Sequence, residues 1–84
     1  MKVFYHPRFR KNYQRLPISA KQKAEKREEI FRKNPFDPRL EIHKLHGRLK
    51  DKWSFSVDRK NRILFEFDKE DIIFLDVCDH DLYK

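Results

Sequence analysis

Between residues 53 and 77 the chain alternates apolar and polar positions three times over, with only short polar breaks. Trp53, Phe55 and Val57 alternate with Ser54, Ser56 and Asp58. Arg59-Lys60-Asn61 then leads into Ile63, Phe65 and Phe67, set against Arg62, Leu64, Glu66 and Asp68, and Lys69-Glu70 leads into IIFLDVC. A period of two marks a strand with one buried face. Connections this short cannot carry a crossover, so the three strands must form an antiparallel meander. With Trp53, Phe55, Val57, Ile63, Phe65 and Phe67 facing inward, Ser54, Ser56, Asp58, Arg62 and Glu66 are expected on an open, polar outer face. Cys78, at the end of an apolar run, is expected to be a small core residue.

The first half of the chain supplies what covers the inner face. KVFY (2–5) reads as a short strand, and Pro7 suits the first turn of a helix, where its missing N–H costs nothing. Phe9, Tyr13 and Leu16 recur at helical spacing up to Pro17. Ser19 is expected to cap a second helix, with Gln22 completing a capping box. Ala20, Ala24, Arg27 and Phe31, flanked by Ile30, make its narrow inward stripe, and Asn34-Pro35 ends it. PFDPRL is expected to be a loop. The predicted fold is α+β and two-layered, β-α-α-β-β-β, with a helical hairpin packed on one face of a mainly antiparallel sheet. The 84 residues form one domain, 1–84, without repeats or linkers.

Charge limits the partners. The sequence carries 21 Lys and Arg against 14 Asp and Glu, a net +7. Residues 43 to 62 concentrate Lys44, Arg48, Lys50, Lys52, Arg59, Lys60 and Arg62 against Asp51 and Asp58, whereas residues 66 to 81 are acidic apart from Lys69. Clustered cations suit a polyanion, RNA or DNA, or an acidic protein. The chain has no apolar stretch near the roughly 18 residues of a membrane span, no apolar signal segment, and a single cysteine. It is therefore expected in the cytoplasm.

The chemistry available is that of histidine and arginine. One glycine, Gly47, rules out a glycine-rich phosphate loop and marks either an unusual backbone conformation or a close approach to a partner. His43 and His46, with Asp79 or His80, have no metal-site spacing, so no metal or other cofactor is expected. RNA cleavage asks only for a base at the 2′-OH, an acid at the leaving 5′-oxygen and a cation for the phosphorane. Histidine titrates in the right range for the first two, and arginine grips phosphate bidentately. His43, Arg62, His80 and Tyr83 offer those groups.

The order H-K-L-H-G-x-L, W-S-F-x-V-D, N-R-I-L-F-E-F and H-D-L-Y, behind a strand-helix-helix opening, resembles the RelE/ParE superfamily of bacterial type II toxins. It is nearest the RelE and YafQ-like mRNA interferase branch, and the likeness spans nearly the whole chain. The resemblance implies a ribosome-dependent endoribonuclease that cuts mRNA in the A site by metal-independent 2′-OH attack, and an acidic antitoxin that blocks it. It assigns His43 as general base, Arg62 to the scissile phosphate, His80 as general acid and Tyr83 as a base-stacking or proton-assisting aromatic. Lys44, His46, Arg48, Lys50, Lys52, Arg59 and Lys60 are expected to bind mRNA or ribosomal RNA. Where YafQ-like members carry a second histidine, this chain has Val57, so its catalytic set is smaller. Replacing Arg62 or His80 by alanine is expected to lose much of the cleavage while keeping folding and antitoxin binding. Two other readings share the fold: a ParE-like inhibitor of DNA gyrase, and a toxin homologue that has lost its chemistry.

Overall fold

The computed structural model describes residues 1–79. Strand β1 (Val3–Tyr5) runs into helix α1 (Pro7–Gln14) and helix α2 (Ile18–Lys33). A short 3-10 helix, Pro38–Leu40, precedes strand β2 (His43–Lys44), and a second, Gly47–Leu49, precedes β3 (Trp53–Ser56). The meander is completed by β4 (Asn61–Asp68) and β5 (Asp71–Asp79). The sheet order is β1-β5-β4-β3-β2. Among the described strands β1 and β5 pair in parallel and the other neighbours are antiparallel, and the helical hairpin carries the chain from β1 at one edge toward β2 at the other. The expected α+β layering is therefore present, with β2 as an added strand two residues long.

Phe31 holds the two layers together. It projects from α2 with no exposed surface, its ring centroid 4.9 Å from those of both Phe55 and Phe65 and 5.5 Å from that of Phe74. Ala20 and Ala24 on the same stripe are buried as expected, because small side chains let α2 lie close on the sheet. Phe9 of α1 packs on Phe74 and stacks with Tyr5 and Tyr13. Leu40, from the supposed loop, is fully buried and part of this core. Trp53 and Phe67 lie on the helix side but at its margin. With Phe36 they form an aromatic cluster in which Phe36 and Phe67 stay exposed.

Three expectations change. Ser19 is not the cap of α2. Pro17 stands at that position without a side-chain hydrogen bond, and its carbonyl already accepts the Lys21 N–H, so the helical ladder starts before Ser19. The outer sheet face is not open: Ser54, Ser56 and Arg62 lie on it by register but are only 1, 7 and 5% exposed.

The third change concerns β5, where Leu64 pairs with Asp76 but Phe65 pairs with Phe74, leaving Leu75 as an extra residue. This β-bulge reverses the alternation beyond it. Val77 enters the core, and Cys78, expected there, becomes the half-buried cross-strand partner of Arg62 on the outer face.

Turn chemistry explains the β3–β4 connection. Oδ1 of Asp58 accepts the N–H groups of Lys60 (2.8 Å) and Asn61 (2.7 Å), while Ser56 Oγ donates to the Asp58 carbonyl. Burial alone would raise the Asp58 carboxyl, but the Asn61 and Lys60 N–H groups outweigh it and hold its pKa below the ordinary value. A depressed native pKa stabilises the fold above the unfolded-state value, and that contribution fades as pH falls through the native one. Asp58→Ala should therefore lower the melting temperature at neutral pH by the equivalent of about 0.5–2 kcal/mol, as loss of a comparable capping side chain does. The gap from the parent should narrow toward strongly acid pH. A pH series of thermal melts checks both; a gap that does not narrow would show that the carboxylate is not the stabilising form.

Candidate functional site on the outer sheet face

Arg62 and His43 meet at Ser54. The β2–β3 register sets His43 opposite Ser54, and the next strand sets Ser54 opposite Leu64. Arg62, one row further along β4, sends its guanidinium back across β3. Its Nε donates to Ser54 Oγ at 3.0 Å, and its Nη2 donates to the Glu41 carbonyl at 2.6 Å and more weakly to the Ser54 carbonyl at 3.4 Å. The arginine thus fastens the segment leading into β2, two residues before His43. Glu41 needs that hold, because it sits in the left-handed region at φ 50°, which a side chain makes costly.

Burial pushes the Arg62 pKa below its ordinary value, and the Glu41 carboxylate partly counters this. Arginine starts so far above neutrality that the group stays charged. Its Nη1 takes part in none of these three bonds. His43 is exposed beside it. A cation held in place and an exposed imidazole on one sheet face can bind a phosphate and exchange a proton next to it.

The other expected residues are distributed around this pair. Lys44 turns to the opposite face, its Nζ 5.9 Å from the Trp53 ring centroid. Lys52 is ion-paired to Glu66, so its charge is already met. His46, Arg48 and Lys50 are exposed on and around the Gly47–Leu49 turn. Gly47 itself has φ +68°, with open space where a Cβ would stand. Its positive φ is the unusual backbone conformation that a glycine takes without cost. Lys60 is exposed in the β3–β4 turn, and its neighbour Arg59 faces a cleft on the helix side. Val57 is 1% exposed in the core and contributes nothing to the outer face. His80 and Tyr83 lie outside the described residues. Among the described residues no group of three His, Cys, Asp or Glu could hold a metal ion.

Sequence reasoning missed Ser54 and Glu41. Ser54 looked like a solvated outer residue; the signal was its place one step from Trp53, opposite an arginine-bearing strand. Glu41 contributes its carbonyl, which no side-chain pattern marks.

No protein-family model matches the sequence, and no curated protein matches it. Solved structures do. A YoeB/ParE toxin from Agrobacterium tumefaciens superposes with a TM-score of 0.79 at 16% identity, over 95% of this chain and 99% of that one. YafQ from E. coli gives a TM-score of 0.75 at 14% identity, over 96% and 94%. RelE from Pyrococcus horikoshii OT3, solved in complex with RelB, gives 0.73 at 18% identity, over 93% and 92%. The chain is similar to these proteins over its full breadth and has the fold of the RelE/ParE toxins.

Proposed function

We propose that this chain is the toxin of a type II toxin–antitoxin pair, acting in the cytoplasm as a ribosome-dependent mRNA endonuclease. The observation that carries the reading is the meeting of His43 and Arg62 at Ser54, on a sheet of RelE-like fold. In the proposed reaction His43 takes the proton from a ribose 2′-OH. The freed oxygen attacks the adjacent phosphorus, and Arg62 Nη1 meets the charge that grows on the phosphorane oxygens. His80 returns a proton to the departing 5′-oxygen as the P–O5′ bond breaks. The products are a 2′,3′-cyclic phosphate and a 5′-hydroxyl, and no step calls for a metal. Tyr83 stacks on a neighbouring base or assists a proton transfer. His46, Arg48, Lys50 and Lys60, exposed and basic, hold the RNA backbone, whereas Lys44 and Arg59, turned to the helix side, and Lys52, paired with Glu66, contribute less. An acidic antitoxin blocks the toxin, as the resemblance implies.

Primer extension on a message in a cell-free translation system tests this. The wild-type chain should give new 5′ ends inside translated codons, and His80→Ala should reduce them by about 10²-fold or more, the usual contribution of a general acid. Intact message together with gyrase-linked DNA breaks would favour the ParE-like reading instead. Wild-type cutting by His80→Ala would remove that histidine from the mechanism.

A further inference from the structure

A pocket of about 210 Å³ opens across β4 from the His43–Arg62 pair, lined by His6, Arg8, Leu64, Leu75 and Asp76. Leu64 ties it to the outer face: it is the cross-strand partner of Ser54, and its neighbours Ile63 and Phe65 belong to the core. Leu75 is the extra residue of the β5 bulge. The chain leaving β1 passes that bulge directly, because the His6 N–H donates to the Phe74 carbonyl at 2.9 Å. His6 Nδ1 then accepts the Arg8 N–H at 3.1 Å, which fixes the backbone that carries the Arg8 guanidinium.

Two opposite charges line this pocket without meeting. Arg8 is exposed, and among the described residues no ion pair joins it to Asp76. Neutral donors hold Asp76 instead. Its Oδ1 accepts Asn12 Nδ2 at 2.7 Å and the Val77 N–H at 2.8 Å, and its Oδ2 takes part in neither bond. Leu64 and Leu75 add apolar wall. A phosphate alone would meet Asp76 as a like charge. A donor fork, a carboxylate and an apolar wall suit a planar base that both accepts and donates. Guanine offers O6 and N7 to an arginine, and N1–H with the N2 amine to a carboxylate. Those edges lie on different sides of the ring, so one guanine bridges an arginine and an aspartate too far apart to pair. Uracil and cytosine have no counterpart of N7, and adenine has no O6.

The pocket is also within reach of the site. Two strand spacings separate β3 from β5, so its β5 wall stands about 10 Å from Ser54. A nucleotide whose phosphate lies at Arg62 extends its base over about that distance.

We propose that this pocket is a guanine subsite that selects the nucleotide beside the cut. Arg8 donates to O6 and N7, Asp76 accepts from N1–H and the N2 amine, and Leu64 and Leu75 lie against the ring. The link to cleavage rests on the nuclease reading above; recognition of the base does not. Arg8 and Asp76 act on specificity and take no part in the proton transfers.

Amide-resolved NMR titration of the full chain tests the site with the pentaribonucleotide UUGUU and three analogues of equal charge, the guanine replaced by inosine, 7-deazaguanine or uracil. UUGUU should shift the amides of residues 6, 8, 64, 75 and 76. Inosine lacks the N2 amine and 7-deazaguanine lacks N7, so each should weaken binding by about five-fold or more, the lower range for a base contact. Uracil should weaken it further. Asp76→Asn keeps an oxygen for Asn12 and Val77 but sets an amide donor at the other position. It should erase the guanine–inosine difference and keep the guanine–7-deazaguanine one, and Arg8→Ala should do the reverse. A merely structural role produces neither selective loss. Equal binding of all four oligonucleotides, shifts confined to the His43 side, or variants that weaken all four alike overturn the proposal. Messages with guanine or uracil beside the cut are then compared in the cell-free translation system, where guanine should be cut about five-fold or more faster. If the wild-type chain cuts neither, the nuclease reading falls while the base subsite stands on the titration. Cutting indifferent to that base overturns the pocket's part in cleavage.

Discussion

His43→Ala should leave thermal stability within about 0.5 kcal/mol of the parent, as exposed substitutions do, and lower mRNA cleavage by about 10²–10⁴-fold. Arg62→Ala should behave differently and lose both. The arginine is 5% exposed and bonded to Ser54 Oγ and to the carbonyls of Glu41 and Ser54. Removing it strands buried acceptors at a cost of about 1–3 kcal/mol, and removes a charge-stabilising donor usually associated with about 10²–10³ in rate. The expectation from sequence that replacing Arg62 spares the fold does not survive its burial. Arg62→Lys separates the two effects. It restores a cation and one donor but not the planar fork, so stability should recover more than cleavage. Melting curves and single-turnover cleavage on the same preparations decide the matter. A His43→Ala chain that cuts at the parental rate would sink the base assignment, and an Arg62→Ala chain of unchanged stability would refute the clamp on Glu41.

Phe31→Ala carries the largest expected effect on the fold. The ring has no exposed surface and touches Phe55, Phe65 and Phe74, one from each strand of the meander. Truncating a buried phenylalanine costs about 3–5 kcal/mol. A domain of this size holds about 4–13 kcal/mol, at roughly 0.05–0.15 per residue. The variant should therefore lose a large part of its stability, and a weak parent would be unfolded at growth temperature. Urea titration of parent and variant gives the difference directly. A change below about 1 kcal/mol would mean that α2 is not the element closing the core.

The meander and the hairpin were legible because each is written in a repeating pattern of side chains. Phe55, Ile63 and Phe65 alternate cleanly, and Ala20, Ala24 and Phe31 hold one helical stripe. What escaped was set by the backbone. β2 is two residues long, too short for any period to appear. Leu40 lies in a proline-bounded turn that reads as solvent-exposed loop, yet the chain folds it into the core. The burial of Arg62 depends on a carbonyl at Glu41, twenty-one positions earlier, and no local pattern announces such a bond. The site residues His43 and Arg62 were visible as residue types, but their placement at Ser54, one by strand register and the other by hydrogen bond, appears only once the register is known.

The extra residue at Leu75 has a consequence for how this chain is compared with others. The two halves of β5 obey opposite parity: even-numbered positions enter the core before it, at Ile72 and Phe74, whereas after it the odd-numbered Val77 does and Cys78 pairs with Arg62 on the outer face. A counterpart strand without the insertion keeps one parity throughout. Residues matched to this chain by simple counting from Phe74 would then be assigned to the wrong side of the sheet. Equivalences near the C-terminal end of β5 have to be anchored on the Arg62–Cys78 pairing, because across the bulge a one-position error in alignment exchanges core for surface.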